Sequence, residues 1–345
     1  MPVHVDSSPS SRGRKGSTAS IRKKSPSQSA ERSSQCVTIG LVNNMPDAAF
    51  EATERQFVSL LESASENIPI CLSLYTLPGI PRTESVGNLA ARGYSSVDVL
   101  WDTNLDGLIV TGKEPLTADL RDETCWESFT KILEWARDNT HSAVWSCLAA
   151  HAAVLHMDGI SRRKSNDKHF GILECAHVSD HQLAAGTPSR FHIPHSRWNG
   201  VSEEELAARG YSVLSRTAGA GVDTFIKEEN SLFVFFQGHP EYESDTLLRE
   251  YRRDVGRYLR RESETYPLLP RGYFDASTES ALTDLREKAM TGRSEELVAG
   301  VAAALETKKV KNTWSRTASR IYGNWLEYIL ARKNESRRDG NANVA

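Results

Sequence analysis

The stretch SAVWSCLAAHAAVLHM, residues 142–157, decides how the chain is read. Its first part is uncharged and rich in residues that pack on a pleated surface, so it predicts a short buried strand. An alanine-rich helical run follows with no loop between them. Cys147 therefore falls at the junction, at the carboxyl end of the strand and the amino end of the helix. A thiol held there projects from the sheet and feels the partial positive charge of the helix terminus, which favours the thiolate. The backbone N–H of Leu148 lies next to it and can donate to an oxyanion, and the end of LDGLIVTG near Gly112 and Lys113 can supply a second donor.

The pattern extends outward from this junction. CVTIGLVNNMP (36–46), IPICLSLYTL (68–77) and LDGLIVTG (105–112) read as further buried strands. FEATERQFVSLLESAS (50–65) and CWESFTKILEWARDN (125–139) carry apolar residues at helical spacing. This alternation predicts an α/β fold with a mainly parallel sheet and helices on both faces, whose ligands sit at the carboxyl ends of the strands. Residues 160–235 are less regular, with strands expected at YSVLSRT, VDTFIKE and SLFVFFQG, antiparallel in part. A helix follows over DTLLREYRRDVGRYLRRE, then a weakly helical region over 278–308. ASRIYGNWLEYILARK is a last helix whose Trp325, Leu326 and Ile329 need a core to pack on.

Residues 1–35, dominated by Ser and basic residues, predict a disordered tail. A single α/β domain is expected over 36–333, and a second disordered tail over 334–345. The formal charge of −3 argues against a general nucleic-acid binder. No apolar run has the ~18–20 residues a membrane span needs. The five cysteines form neither a CxxC pair nor a zinc-type spacing, so no metal site is expected and free thiols in a reducing cytoplasm are. Cys36 and Cys71 read as core thiols, Cys125 as a thiol at a helix start, and Cys175 has no distinguishing context.

VFFQGHPEYES (234–244) supplies the partner for Cys147. In an extended segment His239 and Glu241 point the same way, so a carboxylate can orient an imidazole. Glu241 reads as an exposed strand-end residue. Nucleophile, base and orienter are thereby all present: Cys147, His239 and Glu241.

In order and spacing, NNMPDAAFEATERQF, DGLIVTG, VWSCLAAHAAVLHMDGI, DKHFG, PHSRW, QGHPEY, LLREYRRDV and TWSRTASRIYGNWLEYI resemble the homoserine O-acyltransferases, best known as homoserine O-succinyltransferases. The resemblance runs over residues 37–330. It implies a flavodoxin-like fold of the class I glutamine amidotransferase type. It also implies a Cys147 thioester nucleophile, His239 as general base and Glu241 as its orienting acid, with Lys168, Ser196 and Arg253 contacting the amino-acid substrate. Acyl-CoA is the implied co-substrate, with no bound cofactor, and L-homoserine the acceptor. A homodimer is compatible with this reading; nucleic-acid and membrane partners are not expected.

Two departures bear on the acyl donor. The segment after Met45-Pro46 carries no lysine where family members often do, and the loop after Gly112, KEPLTADLRDE, differs from the glycine-bearing version. In the family this loop helps to choose between succinyl and acetyl donors. Glu114 lies close to the selecting position, while the alignment points to Leu116 or Thr117. A small residue leaves room for succinyl, and succinyl is the expectation. Acetyl-CoA as donor, serine as acceptor, a glutamine amidotransferase-like hydrolase, and a non-catalytic binding protein of the same fold are the alternatives.

Overall fold

A computed structural model describes residues 3–5, 36–83, 92–294, 296–306 and 310–342. Its centre is one sheet of eleven strands among the described residues. In chain order these are β1 (Val3–Val5), β2 (Val37–Val42), β3 (Ile70–Thr76), β4 (Tyr94–Ser96), β5 (Gly107–Val110), β6 (Ser142–Ser146), β7 (Arg163–His177), β8 (Arg190–Gly200), β9 (Ser212–Thr217), β10 (Gly221–Glu228) and β11 (Leu232–Phe236). The spatial order is β1-β3-β2-β5-β6-β11-β10-β9-β7-β8, with β4 also on β3. The pairs from β1 to β11 are parallel, and those from β11 through β10, β9, β7 and β8 are antiparallel.

The uncharged central strands are explained by burial on both faces. Along β6, Ala143 and Trp145 point into one apolar cluster and Val144 into another. On β11, Phe233 and Phe235 join the first cluster, Val234 and Phe236 the second. Helices α1 (Asp47–Ala64), α2 (Trp126–Asn139), α3 (Leu148–Asp158) and α8 (Ser315–Ala342) supply the covering faces. α2 and α3 cover the first, with α4 (Glu203–Ala208) beside them, and α1 and α8 cover the second. The expected core for the last helix is this second cluster, where Trp325, Leu326 and Ile329 are buried. A third cluster joins α5 (Thr246–Leu259), α6 (Ala276–Thr291) and α7 (Glu296–Glu306), the weakly helical region of the sequence.

Several expectations are corrected. Within the expected N-terminal tail, Val3–Val5 forms a strand beside Ile70–Leu72, and Val3 is buried; residues 6–35 lie outside the described ones. The expected C-terminal tail from 334 is helical as far as Ala342, carried on by good helix formers such as Glu335, Arg337 and Arg338; residues 343–345 lie outside the described ones. Cys36 and Cys71 are joined as a disulfide with Cα atoms 5.9 Å apart, in place of free thiols. Thr38 pairs with Cys71 across β2 and β3, and Cys36 shares the face of Thr38, so strand pairing brings together two residues 35 apart in sequence. Cys125, Cys147 and Cys175 are free. β7 and β8 were not expected: a bulge between Lys164 and His169 breaks the alternation, and Pro194 sits within β8, which tolerates it as the terminal strand of the sheet.

Trp325 anchors α8 through its apolar ring and through Nε1, which donates to Ser142 Oγ at 2.8 Å. Trp325→Ala removes both and is expected to cost about 3–5 kcal/mol, read as a lowered midpoint in urea unfolding.

Candidate active site

The site forms where β6 and β11 end together. These strands pair in parallel, Phe236 opposite Ser146, and Cys147 N donates to Phe236 O at 2.7 Å. Cys147 adopts φ 53°, ψ −110°, a conformation L residues rarely hold. Such strain at a strand-to-helix turn aims the side chain out of the sheet. The Leu148 N–H is the first of α3 and has no carbonyl within the helix to bond. Gly112, at the end of β5, lies directly against it: a Cβ there would come within 2.9 Å of Leu148 N. The structure thus brings together the three groups proposed for nucleophile and oxyanion support.

His239 follows β11 by three residues. The segment is a turn, with Tyr242 N donating to His239 O at 3.2 Å and Pro240 at its second position. The pairing of His239 with Glu241 arises from this turn, where an extended strand was expected. Glu241 Oε1 accepts from His239 Nδ1 at 2.8 Å, and Glu241 is buried, correcting its expected exposure. With Nδ1 committed, Nε2 is the ring edge left to interact with Cys147, whose proximity is felt in the His239 pKa. Burial works against the charged imidazole, yet Glu241 and Cys147 outweigh it and hold the His239 pKa well above its ordinary value. His239 is therefore held as imidazolium beside Cys147. The Tyr242 ring stacks on His239, with centroids 4.2 Å apart.

The amino-acid subsite predicted from sequence is assembled on α5. Ser196 Oγ donates to Glu250 Oε2 at 2.5 Å, and Tyr242 OH donates to Glu250 Oε1 at 2.6 Å. Ser196 is thereby linked through Glu250 to the ring that stacks on His239. Arg253 Nε donates to Asp254 Oδ1 at 2.8 Å, and Lys168 Nζ is 3.7 Å from Asp254 Oδ2 and 4.2 Å from the centre of the Phe170 ring. Arg253 and Asp254 follow Glu250 by three and four residues, about one turn along α5. Sequence reading missed Glu250 and Asp254; their i, i+3 and i+4 spacing with Arg253 was the available signal.

The donor loop is organised by Glu123, also missed. This buried carboxylate accepts from Leu116 N at 2.6 Å, from Thr117 N and Oγ1 at 2.9 Å each, and from Lys113 Nζ at 2.5 Å. Burial would raise its pKa, and these donors hold it below the ordinary value. Of the three selectivity candidates, Glu114 is exposed and 3.5 Å from Arg257, and Leu116 is exposed. Thr117 is half-buried, its Oγ1 donating to Glu123 Oε1 and Asp119 O. A cavity of about 40 Å³ lies behind the loop, lined by Gly112, Lys113, Glu123, Leu148 and Ala149 among others. Arg162 tethers the loop from β7's approach, its Nη2 donating to Ala118 O at 3.0 Å.

The family model described as homoserine O-succinyltransferase matches residues 17–336. The chain is 44% identical over 294 residues to the homoserine O-succinyltransferase of Bradyrhizobium japonicum, covering 85% of this chain and 90% of that protein. It is 43% identical over 303 residues to that of Rhodopseudomonas palustris, covering 88% and 90%. Among solved structures, a glutamine amido transferase from Methylobacillus flagellatus aligns with a TM-score of 0.48 at 14% identity, over 85% of this chain and 95% of that one.

Two outcomes follow from the geometry. Gly112→Ala places a methyl group against the Leu148 amide and is expected to lower kcat about a hundredfold while unfolding remains cooperative; steady-state kinetics and circular dichroism check this. Glu241→Gln removes the main support for imidazolium, so the His239 pKa should fall toward its ordinary value in an NMR titration. Because the folded-state pKa of His239 is raised, its contribution to stability is fully present below the unfolded pKa of about 6.5. It is lost as pH rises through the folded pKa, so the stability gap between wild type and variant should close toward alkaline pH.

Proposed function

The chain belongs to the homoserine O-succinyltransferase family, and on that premise we propose a Cys147-centred, two-step transfer of a succinyl group from succinyl-CoA to the hydroxyl of L-homoserine. It is an acyltransferase of methionine biosynthesis. The observation that carries the residue assignment is the strained Cys147 facing a buried His239–Glu241 pair.

In the first step the Cys147 thiolate attacks the thioester carbonyl, and the oxyanion accepts from the Leu148 N–H in the space beside Gly112. The carbon–sulfur bond to CoA breaks, and the CoA sulfur takes the proton from imidazolium. In the second, His239 takes the homoserine hydroxyl proton as the oxygen attacks the acyl-cysteine. Collapse releases the O-acyl ester and regenerates the thiolate, with the proton again on His239. Arg253 and Lys168 supply cationic donors for the substrate carboxylate, and Glu250 an acceptor for its ammonium, held in place by Ser196 and Tyr242.

Succinyl as donor is supported by the exposed Glu114, which is engaged with Arg257 at the rim, and by the small Thr117 held against Glu123. A cytoplasmic reaction fits a CoA thioester and a thiolate nucleophile. No helix among the described residues is long and apolar enough to cross a membrane.

Incubation with succinyl-CoA should give a succinylated protein by intact mass, which homoserine then discharges. No adduct on wild type, or an adduct that survives Cys147→Ala, would overturn the assignment. Thr117→Glu should raise the acetyl-to-succinyl ratio of kcat/KM by about tenfold or more, through repulsion of the succinyl carboxylate.

A further inference from the structure

Beneath the catalytic turn lies a buried charge network that the reaction as described does not use. Asp223 of β10 and His195 and Arg197 of β8 are all buried, though β10 and β8 are not neighbours in the sheet. His195 Nε2 is 3.2 Å from Asp223 Oδ1, and Arg197 Nε donates to His195 Nδ1 at 3.3 Å. Ser215 Oγ and Thr224 Oγ1 donate to Asp223 Oδ2 at 2.8 and 2.9 Å. Arg197 also donates to Asn199 O and Ala220 O, both at 2.7 Å. Because Arg197 donates to Nδ1, the ring hydrogen must sit on Nε2, between Asp223 Oδ1 at 3.2 Å and Thr217 Oγ1 at 3.4 Å. A neutral imidazole then separates a buried carboxylate from a buried guanidinium. Burial keeps His195 from charging despite Asp223, while burial's upward push on Asp223 is outweighed by the hydrogen bonds it accepts.

Cys175 Sγ lies near enough to His195 and Asp223 for the three to resemble a metal-ligand set. The proton on Nε2 and the adjacent guanidinium charge both oppose a cation there.

The network's position relates it to catalysis. Gln237 N donates to Asp223 O at 2.9 Å and His239 N donates to Pro194 O at 2.8 Å, so the catalytic turn is pinned to β10 on one side and β8 on the other. Gly238 lies between these pins, directly over the pair: a Cβ there would come within 2.9 Å of both His195 Nε2 and Asp223 Oδ1. Ser196 sits between His195 and Arg197 on β8, on the opposite face, toward Glu250. Side chains below and backbone bonds above thus tie the same two strands together.

The geometry points to Asp223 and His195 as positioning residues that fix the catalytic His239 relative to Cys147 and to the Ser196–Glu250 subsite. This rests on the reading of His239 as the partner of Cys147, and deepens it.

The test uses full-length Asp223→Asn, His195→Ala, His195→Gln and the Asp223→Asn/His195→Ala double variant. Two readouts are taken: kcat and KM for CoA release from succinyl-CoA with homoserine, and the rate of Cys147 alkylation by iodoacetamide at neutral pH. The alkylation reads the support His239 gives the thiolate without any acyl donor. A wild type that alkylates rapidly but never takes an acyl group would therefore sink the transferase reading alone. Asp223→Asn and His195→Ala should each lower kcat and the alkylation rate about tenfold, with KM changed little and cooperative unfolding retained. His195→Gln, which keeps an N–H toward Asp223, should recover much of the loss and stands in for His195→Ala should that variant fail to fold. The double variant should be no slower than either single one. Wild-type alkylation and kcat in the single variants, or losses that multiply in the double, would overturn the inference and leave the network a purely structural one.

Discussion

The parallel pairing of β6 with β11 is the constraint on which the site depends. Both strands are buried on both faces, so neither can slide without exposing a whole set of apolar side chains. Their register puts Ser146 opposite Phe236, and the next amide, that of Cys147, bonds back to Phe236. Nucleophile and base are thus delivered to one sheet edge by core packing. The unfavourable φ of Cys147, a strain of order 1–3 kcal/mol, persists because strand and helix on either side are both committed to that core. His239 inherits its place from the same register, three residues beyond the point where β11 stops.

Charge is partitioned around this edge so that each carboxylate has one task. Glu241 stabilises the imidazolium, Glu250 joins Ser196 to Tyr242, and Asp254 holds Lys168 and Arg253. Asp223 is neutralised at a distance by Arg197 through a neutral histidine. Glu250 is occupied by two hydroxyl donors that spread its charge.

Local pattern was enough to read the central strands, the helices that cover them, and Cys147 at its turn. His239 and Glu241 were legible as a pair, although a Pro240 turn brings them together in place of an extended strand. Contacts made between distant segments were not legible. Val3–Val5 has too few residues to show a period, and the Cys36–Cys71 bond depends on the register of two strands. His195 and Asp223 lie 28 residues apart on strands that do not pair, and the bulge of β7 and Pro194 of β8 hide the hairpin that carries Lys168 and Ser196. Glu123 looked like one more loop acid, because its role appears only once four donors converge on it.

That convergence also explains why donor selectivity is hard to read from aligned positions. The loop after β5 begins at Gly112, which lies against the Leu148 amide, and is closed eleven residues later by Glu123. Between them the backbone path, not the residue count, decides which side chains are held and which stand in solvent. Glu114, closest by number, turns outward to Arg257, and Leu116 stands in solvent even though its amide is held by Glu123. Thr117 is held against Glu123, because both its amide and its hydroxyl are bound to that carboxylate. An inserted residue here does not simply lengthen the loop. It changes which residues Glu123 can hold, so the proposed donor preference rests on how Glu123 ties the loop down as much as on the residue found there.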